Sequence, residues 1–324
     1  MARLPTLVLY HPAMAQEGYP VLAGRVQQAF DYLEETGTLQ APQVKLEEAQ
    51  LVEDSLLQQV HTNRHIASVG GTSYDFASRL SAGASVRAGE AVWTGDAANA
   101  FVFTGCAGHH ASRGSAWGFC YYNNTALLVR HLQEVHGVER FFVVDTDPHF
   151  GDGTRDILGE EPGVFHLNFY AAFGEGEEFK SPRHVDVPFP SNCGDASFVE
   201  ALRRLAKPLA KESRAQMLLW NMGHDAHAID YGGFQLSLHA FPAMTEILFK
   251  VAEDVCQGRF VVLLSGGSEV YVARHTISSI IRCLAALTPL PADTAEEPAY
   301  DSPDTERTAQ KLVDNILEKL ALDT

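Results

Sequence analysis

The sequence has 324 residues, of which 46% are hydrophobic and 20% charged, and its formal net charge is −17. That length and apolar content describe a globular chain with a large core, long for one domain but within the range of single α/β domains. The acidic balance opposes any broad electrostatic grip on nucleic acid or on an anionic membrane, so neither is expected as a partner. Part of the charge is local, because residues 290–324 hold nine Asp/Glu against three Lys/Arg.

Five cysteines (Cys106, Cys120, Cys193, Cys256 and Cys283) are odd in number, widely spaced and form no CxxC pair. That usage fits reduced thiols in a cytoplasmic protein rather than a disulfide framework. The first residues carry one arginine and a short apolar run without a small-residue cleavage site, so they read as a first strand over 6–10 and not as a signal peptide. No apolar run approaches the ~18 residues that a membrane span requires.

After that strand, apolar residues at Val21, Leu22, Val26, Phe30 and Leu33 predict a helix over 21–35. Residues 44–51 are mixed, and 54–60 form a short helix ending at His61-Thr62. Gly70-Gly71-Thr72 is a loop, and 73–86 is a helix with Phe76, Leu80 and Ala84 on one face. A short strand over 99–104 leads into Gly105-Cys106-Ala107-Gly108-His109-His110-Ala111. Gly118-Phe119-Cys120-Tyr121-Tyr122-Asn123-Asn124 follows, then a helix over 125–136 and a strand over 141–144. Further strands are expected at 163–167, 216–222 and 260–264, helices at 198–210, 243–257 and 272–287, and the start of a loop at 185–188.

Residues 288–302, with three prolines and several acids, read as a linker. Ser302-Pro303 then caps a final helix with proline at its first position. Its apolar stripe of Leu312, Val313, Ile316, Leu317 and Leu320 is expected to pack back on the domain; a dimer contact is the less favoured use, and self-association stays open. The organisation is thus a domain over 1–289 followed by an acidic linker and helix over 290–324. Strands alternate with helices, which implies an α/β fold of three αβα layers with a mainly parallel central sheet. In such sheets ligands bind beyond the carboxyl ends of the strands. The polar clusters at His109/His110, 145–152, His224/Asp225 and 266–268 all fall there.

The densest cluster is Val143-Val144-Asp145-Thr146-Asp147-Pro148-His149-Phe150-Gly151-Asp152-Gly153-Thr154. On a strand, residues i and i+2 share a face, so Asp145, Asp147 and His149 would present two carboxylates and an imidazole to one point. That ligand set suits a divalent metal such as zinc, while an ordinary strand end with a helix cap is equally compatible with the spacing. A His-His pair following a strand is, by type and placement alone, more often structural than catalytic.

Together, GHHA at 108–111, GFCYYNN at 118–124, DTDPHFGDGT at 145–154 and GHDAH at 223–227 resemble the signature blocks of the histone deacetylase-like zinc amidohydrolases. That family includes acetylpolyamine amidohydrolases and acetoin-utilisation proteins on the arginase/deacetylase fold, and the resemblance runs in order from about Tyr10 to Leu287. It implies one Zn2+ per chain held by Asp147, His149 and Asp225, leaving positions for water and a substrate carbonyl. It places His109 and His110 above the metal, with Asp145 orienting His109 and Asp152 orienting His110. His110 is the expected general base and acid, and His109 its electrostatic partner. Gly118 and Phe119 correspond to one wall of an acyl-lysine tunnel, with Phe173 the candidate for the opposite wall. The family also holds a structural monovalent cation (K+) near Asp145, Asp147, His149 and Leu167. Here His166 stands in place of an oxygen-donating serine, which argues against that cation.

Three departures bear on activity. Gly266-Gly267-Ser268 has serine where active relatives carry a tyrosine that stabilises the oxyanion, and losing such a donor costs ~3 kcal/mol. Tyr271 and His224 are the candidates for a replacement donor. Asp230-Tyr231-Gly232-Gly233 has glycine at 232 where relatives carry leucine or glutamate, which predicts a wider mouth. Residues 169–183 are shorter than the family's glycine-rich loop. The expected activity is hydrolysis of an acylated amine, either acyl-lysine in a protein or a small acylated molecule. The alternatives are a hydrolase of a non-lysine metabolite amide and a binding protein for acylated ligands with little or no turnover. A two-manganese ureohydrolase would need further carboxylates, and the region after Trp220 offers only Asp225 in the right place.

Overall fold

In the computed structural model, residues 4–172, 183–290 and 296–321 are described. The strands are β1 (Thr6–Tyr10), β2 (Val44–Glu48), β3 (Asn99–Val102), β4 (Phe141–Asp145), β5 (Val164–Ala172), β6 (His184–Pro190), β7 (Met217–Met222) and β8 (Phe260–Leu264). They form one sheet in the order β2-β1-β3-β8-β7-β4-β5-β6. Every pairing within it is parallel, so the expectation of a mainly parallel sheet resolves to a wholly parallel one among the described residues. Strands β1, β3, β4, β7 and β8 are mostly apolar because both of their faces are covered, and all of their residues are buried. Edge strand β2 (VKLEE) is mostly outside the core.

The main helices are α1 (Pro12–Gln16), α2 (Pro20–Glu35), α3 (Asp54–Val60), α4 (Asn63–Gly70), α5 (Asp75–Thr94), α6 (Asn124–His136), α7 (Asp152–Leu158), α8 (Asp195–Ser213), α9 (Ala240–Cys256), α10 (Val270–Leu284) and α11 (Pro303–Leu320). Helices α2, α10, α9, α8 and α11 pack in series, each on the next, while α5 packs on α6 and α6 on α3. Helices α5 and α10 both lie over β1 and β3 without packing on each other, which puts them on opposite faces of the sheet. This is the three-layer arrangement expected from the alternation of strands and helices.

The differences from the sequence reading are local. Helix α7 and helix α4 are too short to show a periodicity, and neither was expected. Strand β6, read as the start of a loop, contains Pro188 and Pro190. Proline is admissible there because β6 is an edge strand. The final helix buries Leu312, Val313, Ile316 and Leu317 against α8 and β6. The described part of the segment read as a linker is fastened: Glu296 accepts from the Leu238 amide (2.9 Å) and the His227 ring (3.0 Å), and Asp301 accepts from the Gly194 amide (2.6 Å). No helix among the described residues is long and apolar enough to cross a membrane.

The four loops that carry the polar clusters leave β3, β8, β7 and β4, which are consecutive in the sheet. Parallel strands put all four carboxyl ends on one edge, so residues from positions 109 to 268 of the chain meet above it.

Candidate active site

Strand β4 ends at Asp145, and the chain turns at once. Asp145 Oδ1 accepts from the Asp147 amide (3.1 Å), and Asp147 Oδ1 accepts from the His149 amide (3.0 Å). These are two successive turns closed by aspartate side chains. They correct the expectation that Asp145, Asp147 and His149 share one face of a strand: the strand positions Asp145 only, and the turns bring Asp147 and His149 together. Asp225 comes from the short 3-10 turn His224–Ala226 after β7. His149 Nδ1 lies 2.9 Å from Asp147 Oδ1 and 3.2 Å from Asp225 Oδ2. One ligand atom from each of the three lies within 4.8 Å of the others.

The arrangement fits a divalent cation. Asp147 and Asp225 are fully buried, and neither carboxylate oxygen of Asp225 has a well-aligned hydrogen-bond donor among the described residues. Leaving a buried carboxylate in that state is costly unless a cation compensates it. Burial, together with the neighbouring Asp147 charge, pushes the Asp225 carboxyl up to about 7. Burial would lower the His149 imidazole, yet Asp147 and Asp225 overcome it and raise it to about 11. Space for an ion is kept by glycine: a Cβ on Gly266 would stand 2.4 Å from Oδ2 of both Asp147 and Asp225, and one on Gly223 2.4 Å from Asp225 Oδ1. The Gly266 amide also donates to Asp147 Oδ2 at 2.7 Å. Two aspartates and a histidine in this cradle are a hard-to-borderline donor set of the kind zinc takes.

His109 and His110 lie in the long segment after β3, with ring centroids 4.0 Å apart. His109 Nδ1 donates to Asp145 Oδ2 (3.1 Å), which also accepts from Asn221 Nδ2 (3.1 Å). His110 Nδ1 donates to Asp152 Oδ1 at 2.6 Å. A carboxylate only accepts, so each pairing puts the proton on Nδ1 and turns Nε2 to the site. His109 Nε2 is 3.5 Å from Asp147 Oδ2. The two rings differ in charge. Burial would lower His109, but Asp147 and Asp145 raise it to about 9; burial and the charge on His109 lower His110 to about 4, against the pull of Asp152. Near neutral pH His110 is therefore an unprotonated base beside a cationic partner.

The rim explains other residues. Gly118 has φ +57° and presses on His110: a Cβ there would lie 2.5 Å from His110 Cδ2 and 3.2 Å from Nε2. Phe119 also has positive φ (64°), and its ring lies 4.3 Å from that of Tyr19 and 6.5 Å from that of Tyr231. The structure gives Gly232 a reason other than the wider mouth that the sequence suggested. A Cβ at 232 would meet the Asp225 carbonyl and Pro148 Cγ, both at 2.5 Å, so glycine is required by close packing under the rim. Ser268 turns its hydroxyl to Asp230 Oδ1 (3.0 Å), and its amide donates to Asp230 Oδ2 (2.9 Å). Phe173 lies outside the described residues. His166 is buried with neither ring nitrogen hydrogen-bonded among the described residues, and burial, with Arg155 nearby, holds it well below its ordinary value and neutral.

Four participants escaped the sequence reading. Trp117 stacks on His110 (centroids 3.7 Å, 27°) and donates from Nε1 to Asp152 Oδ2 at 2.8 Å. Asn221, the last residue but one of β7, shares Asp145 with His109. Arg25, fully buried in α2, holds the carbonyls of residues 265–267. Tyr231 tilts over His149 (centroids 5.5 Å, 41°), and its hydroxyl accepts from the Gly267 amide at 3.1 Å. Burial raises the Tyr231 phenol above its ordinary value, with Asp225 and Asp147 adding to the effect, so it stays protonated. Of these, only Tyr231 belongs to a stretch with a sequence signal, Asp230-Tyr231-Gly232-Gly233; the others carry none.

Comparison with known proteins points to one family. The family model described as "Histone deacetylase domain" matches residues 69–284. A "Histone deacetylase-like amidohydrolase" of Pseudomonas aeruginosa is 35% identical over 218 residues, covering 64% of this chain and 57% of that protein. A protein of Archaeoglobus fulgidus named "Probable deacetylase" is 29% identical over 295 residues, covering 82% of this chain and 81% of its own. The match to "Histone deacetylase 14, chloroplastic" of Arabidopsis thaliana spans 48% of that relative, so the chain covers about half the length of some curated relatives it matches. In fold, the crystal structure of the HDA15 HD domain superposes with a TM-score of 0.85 at 22% identity, over 98% of this chain and 97% of that one. The chain belongs to the histone deacetylase-like amidohydrolases, a family of amide-bond hydrolases with the three-layer arginase/deacetylase fold.

Proposed function

We propose that this chain is a zinc-dependent deacylase that cleaves an acylated amine into a carboxylate and the free amine. The observation that carries the reading is His110, its Nδ1 bound to Asp152, set beside the group of Asp147, His149 and Asp225. A zinc ion on those three residues would supply Lewis acidity toward the scissile carbonyl and lower the pKa of water. His110 Nε2 takes a proton from the attacking water and later delivers it to the leaving amine, while Asp152 and the stacked Trp117 hold the ring in place. His109, hydrogen-bonded to Asp145, is the electrostatic partner of His110 and opposes the negative charge that builds up next to it. Gly118 and Phe119 form one side of the approach, and glycine at 118 lets the substrate's acyl end come close to His110.

The acylated group is either an acyl-lysine of a protein or a small acylated amine, and neither nucleic acid nor a membrane is called for. A second reading, an acyl-ligand binder with little turnover, is favoured by one observation: the Ser268 hydroxyl is bonded to Asp230 and unavailable to an oxyanion. One experiment separates the two. Metal content is measured together with turnover of acetyl-lysine peptide, trifluoroacetyl-lysine peptide, acetylpolyamines and small amides. About one zinc per chain, lost in Asp225→Asn, with hydrolysis of at least one substrate class, is expected. Glu90, His131 and His136 form a second, half-exposed group that could hold a metal, so the count is read against that variant. Two tightly bound manganese ions would remove the deacylase reading; bound zinc with no hydrolysis anywhere would leave the binder.

A further inference from the structure

Hydrolysis of an amide places a negative charge on the former carbonyl oxygen when water adds, and a fixed neutral donor aimed at that oxygen lowers the barrier. Tyr271 and His224, the candidates for a replacement donor, lie elsewhere, and Ser268, which stands where relatives carry tyrosine, is engaged too. Ser268 is committed to Asp230. Tyr271 is 47% exposed on α10 with its ring 4.6 Å from that of His275. His224 is fully buried beneath Gly267 and 3.5 Å from the Arg25 guanidinium.

Resting on the deacylase reading above, we propose that Tyr231 is the oxyanion donor: its hydroxyl, fixed by the Gly267 amide beside the Asp147–His149–Asp225 group, hydrogen-bonds the carbonyl oxygen as the tetrahedral intermediate forms. Three contacts locate the phenol. Its oxygen accepts from Gly267 N at 3.1 Å, while the preceding amide, Gly266 N, donates to Asp147 Oδ2 at 2.7 Å. Two consecutive amides thus hold the phenol and a metal-binding carboxylate side by side. The ring tilts over the His149 imidazole at 5.5 Å, and Phe119 stands across from it at 6.5 Å. The phenol uses a lone pair toward Gly267, and its own hydrogen has no acceptor among the described residues, so that hydrogen is free for a substrate. Tyr231 is also 43% exposed, so its side chain is open to an arriving substrate.

The chemistry balances without transfer from the tyrosine. As the water oxygen bonds to the carbonyl carbon, the C=O π pair moves onto oxygen and is held by the Tyr231 O–H, which keeps its proton. When the carbon–nitrogen bond breaks, that pair re-forms the carbonyl and the amine leaves with the proton from His110. The chain therefore carries its tyrosine on the loop after β7 instead of the loop after β8.

The test compares the full chain with Tyr231→Phe, both at full zinc occupancy and matched melting temperature. One readout is kcat and KM on whichever acyl substrate the parent cleaves. The other is the affinity, by calorimetry, for a peptide trifluoromethyl ketone, whose hydrate mimics the tetrahedral intermediate, beside the affinity for acetate. The expected result is a fall in kcat of about a hundredfold with KM changed less than about threefold, and a matching loss of ketone affinity that exceeds any loss for acetate. Unchanged kcat and unchanged ketone affinity would overturn the proposal while leaving the deacylase reading intact. A parent that cleaves nothing would count against the deacylase reading alone; the ketone comparison still decides for or against Tyr231. Equal losses for ketone and acetate would reduce the tyrosine to packing and also overturn it.

Discussion

The Arg25 guanidinium, on the second helix, donates to the carbonyl of Gly266, 241 residues further along the chain, at 2.6 Å. It also donates to Gly267 (2.8 Å) and Ser265, and is fully buried. One side chain therefore holds the loop whose amides position Asp147 and Tyr231. Arg25 is also a buried positive charge near Asp147, Asp225 and Asp230, which favour its charged form against the burial that lowers it. Replacing it with methionine leaves three carbonyls without their donor and several acids without their counter-charge. The expected cost is about 3 kcal/mol or more, a melting temperature lower by on the order of 5 °C or more. A shift within about 1 °C in a thermal scan would show that the loop stands without it.

Asp152 is bonded to both His110 and Trp117. Asp152→Asn keeps the shape and removes the charge that raises His110. The rate is expected to fall about 10–100-fold, the usual range for a residue that orients a catalytic imidazole. Since Asp152 is one of the groups that raise His110, its loss lowers that pKa further, and the acid limb of the kcat/KM profile should move to lower pH. A limb that moves upward would mean that His110 is not the group titrating.

Ser268→Ala removes one hydroxyl hydrogen bond to Asp230 and leaves the two backbone amides of Ser268 and Glu269 bonded to the same carboxylate. A cost of about 1 kcal/mol in stability and a change in kcat of no more than a few-fold are expected. A loss of a hundredfold in steady-state kinetics would restore serine to the chemistry. Ser268→Tyr raises activity only if the site lacks a donor, so little gain over a protein that already carries Tyr231 is the expected outcome.

His61 sets a pH limit away from the active site. Its Nδ1 donates to the Ser112 carbonyl (2.9 Å) and its Nε2 accepts from the Asn123 amide (3.0 Å), which only the neutral ring can do. Burial lowers its pKa from 6.5 to about 4, and burial does the same to His184. The folded values lie below the unfolded ones, so the unfolded chain binds more protons between them. The stabilising contribution is complete above about pH 6.5 and is lost as pH falls toward about 4. Denaturant unfolding should show stability dropping across that window, and less steeply in His61→Gln. An identical slope in the variant would assign the drop to other groups.

Motif residues were legible because their roles depend on short-range chemistry. Asp147, His149 and Asp225 are ligand types at loop positions, and the His109-His110 pair sits after a strand; these contribute side chains by identity. Trp117 and Arg25 were not legible, since an indole seven residues beyond a histidine and an arginine in the second helix acquire meaning only from what folds against them. Ser268 and Gly232 show the opposite case. Each was noticed as a departure, but its consequence depended on where Asp230 and Pro148 lay.

The sequence by itself determined the class of fold and supplied the acid and imidazole types at 147, 149 and 225 that the structure gathers into one group. Continuous apolar strands alternating with amphipathic helices admit few arrangements other than a covered parallel sheet, and local periodicity is enough to show them. Only the tertiary structure decided which groups share the site. Strands β3, β8, β7 and β4 are neighbours in the sheet although far apart in the chain, and that order sets Tyr231 against the Gly267 amide and turns Ser268 away to Asp230. Strand order arises from long-range packing, which no local pattern of residues records.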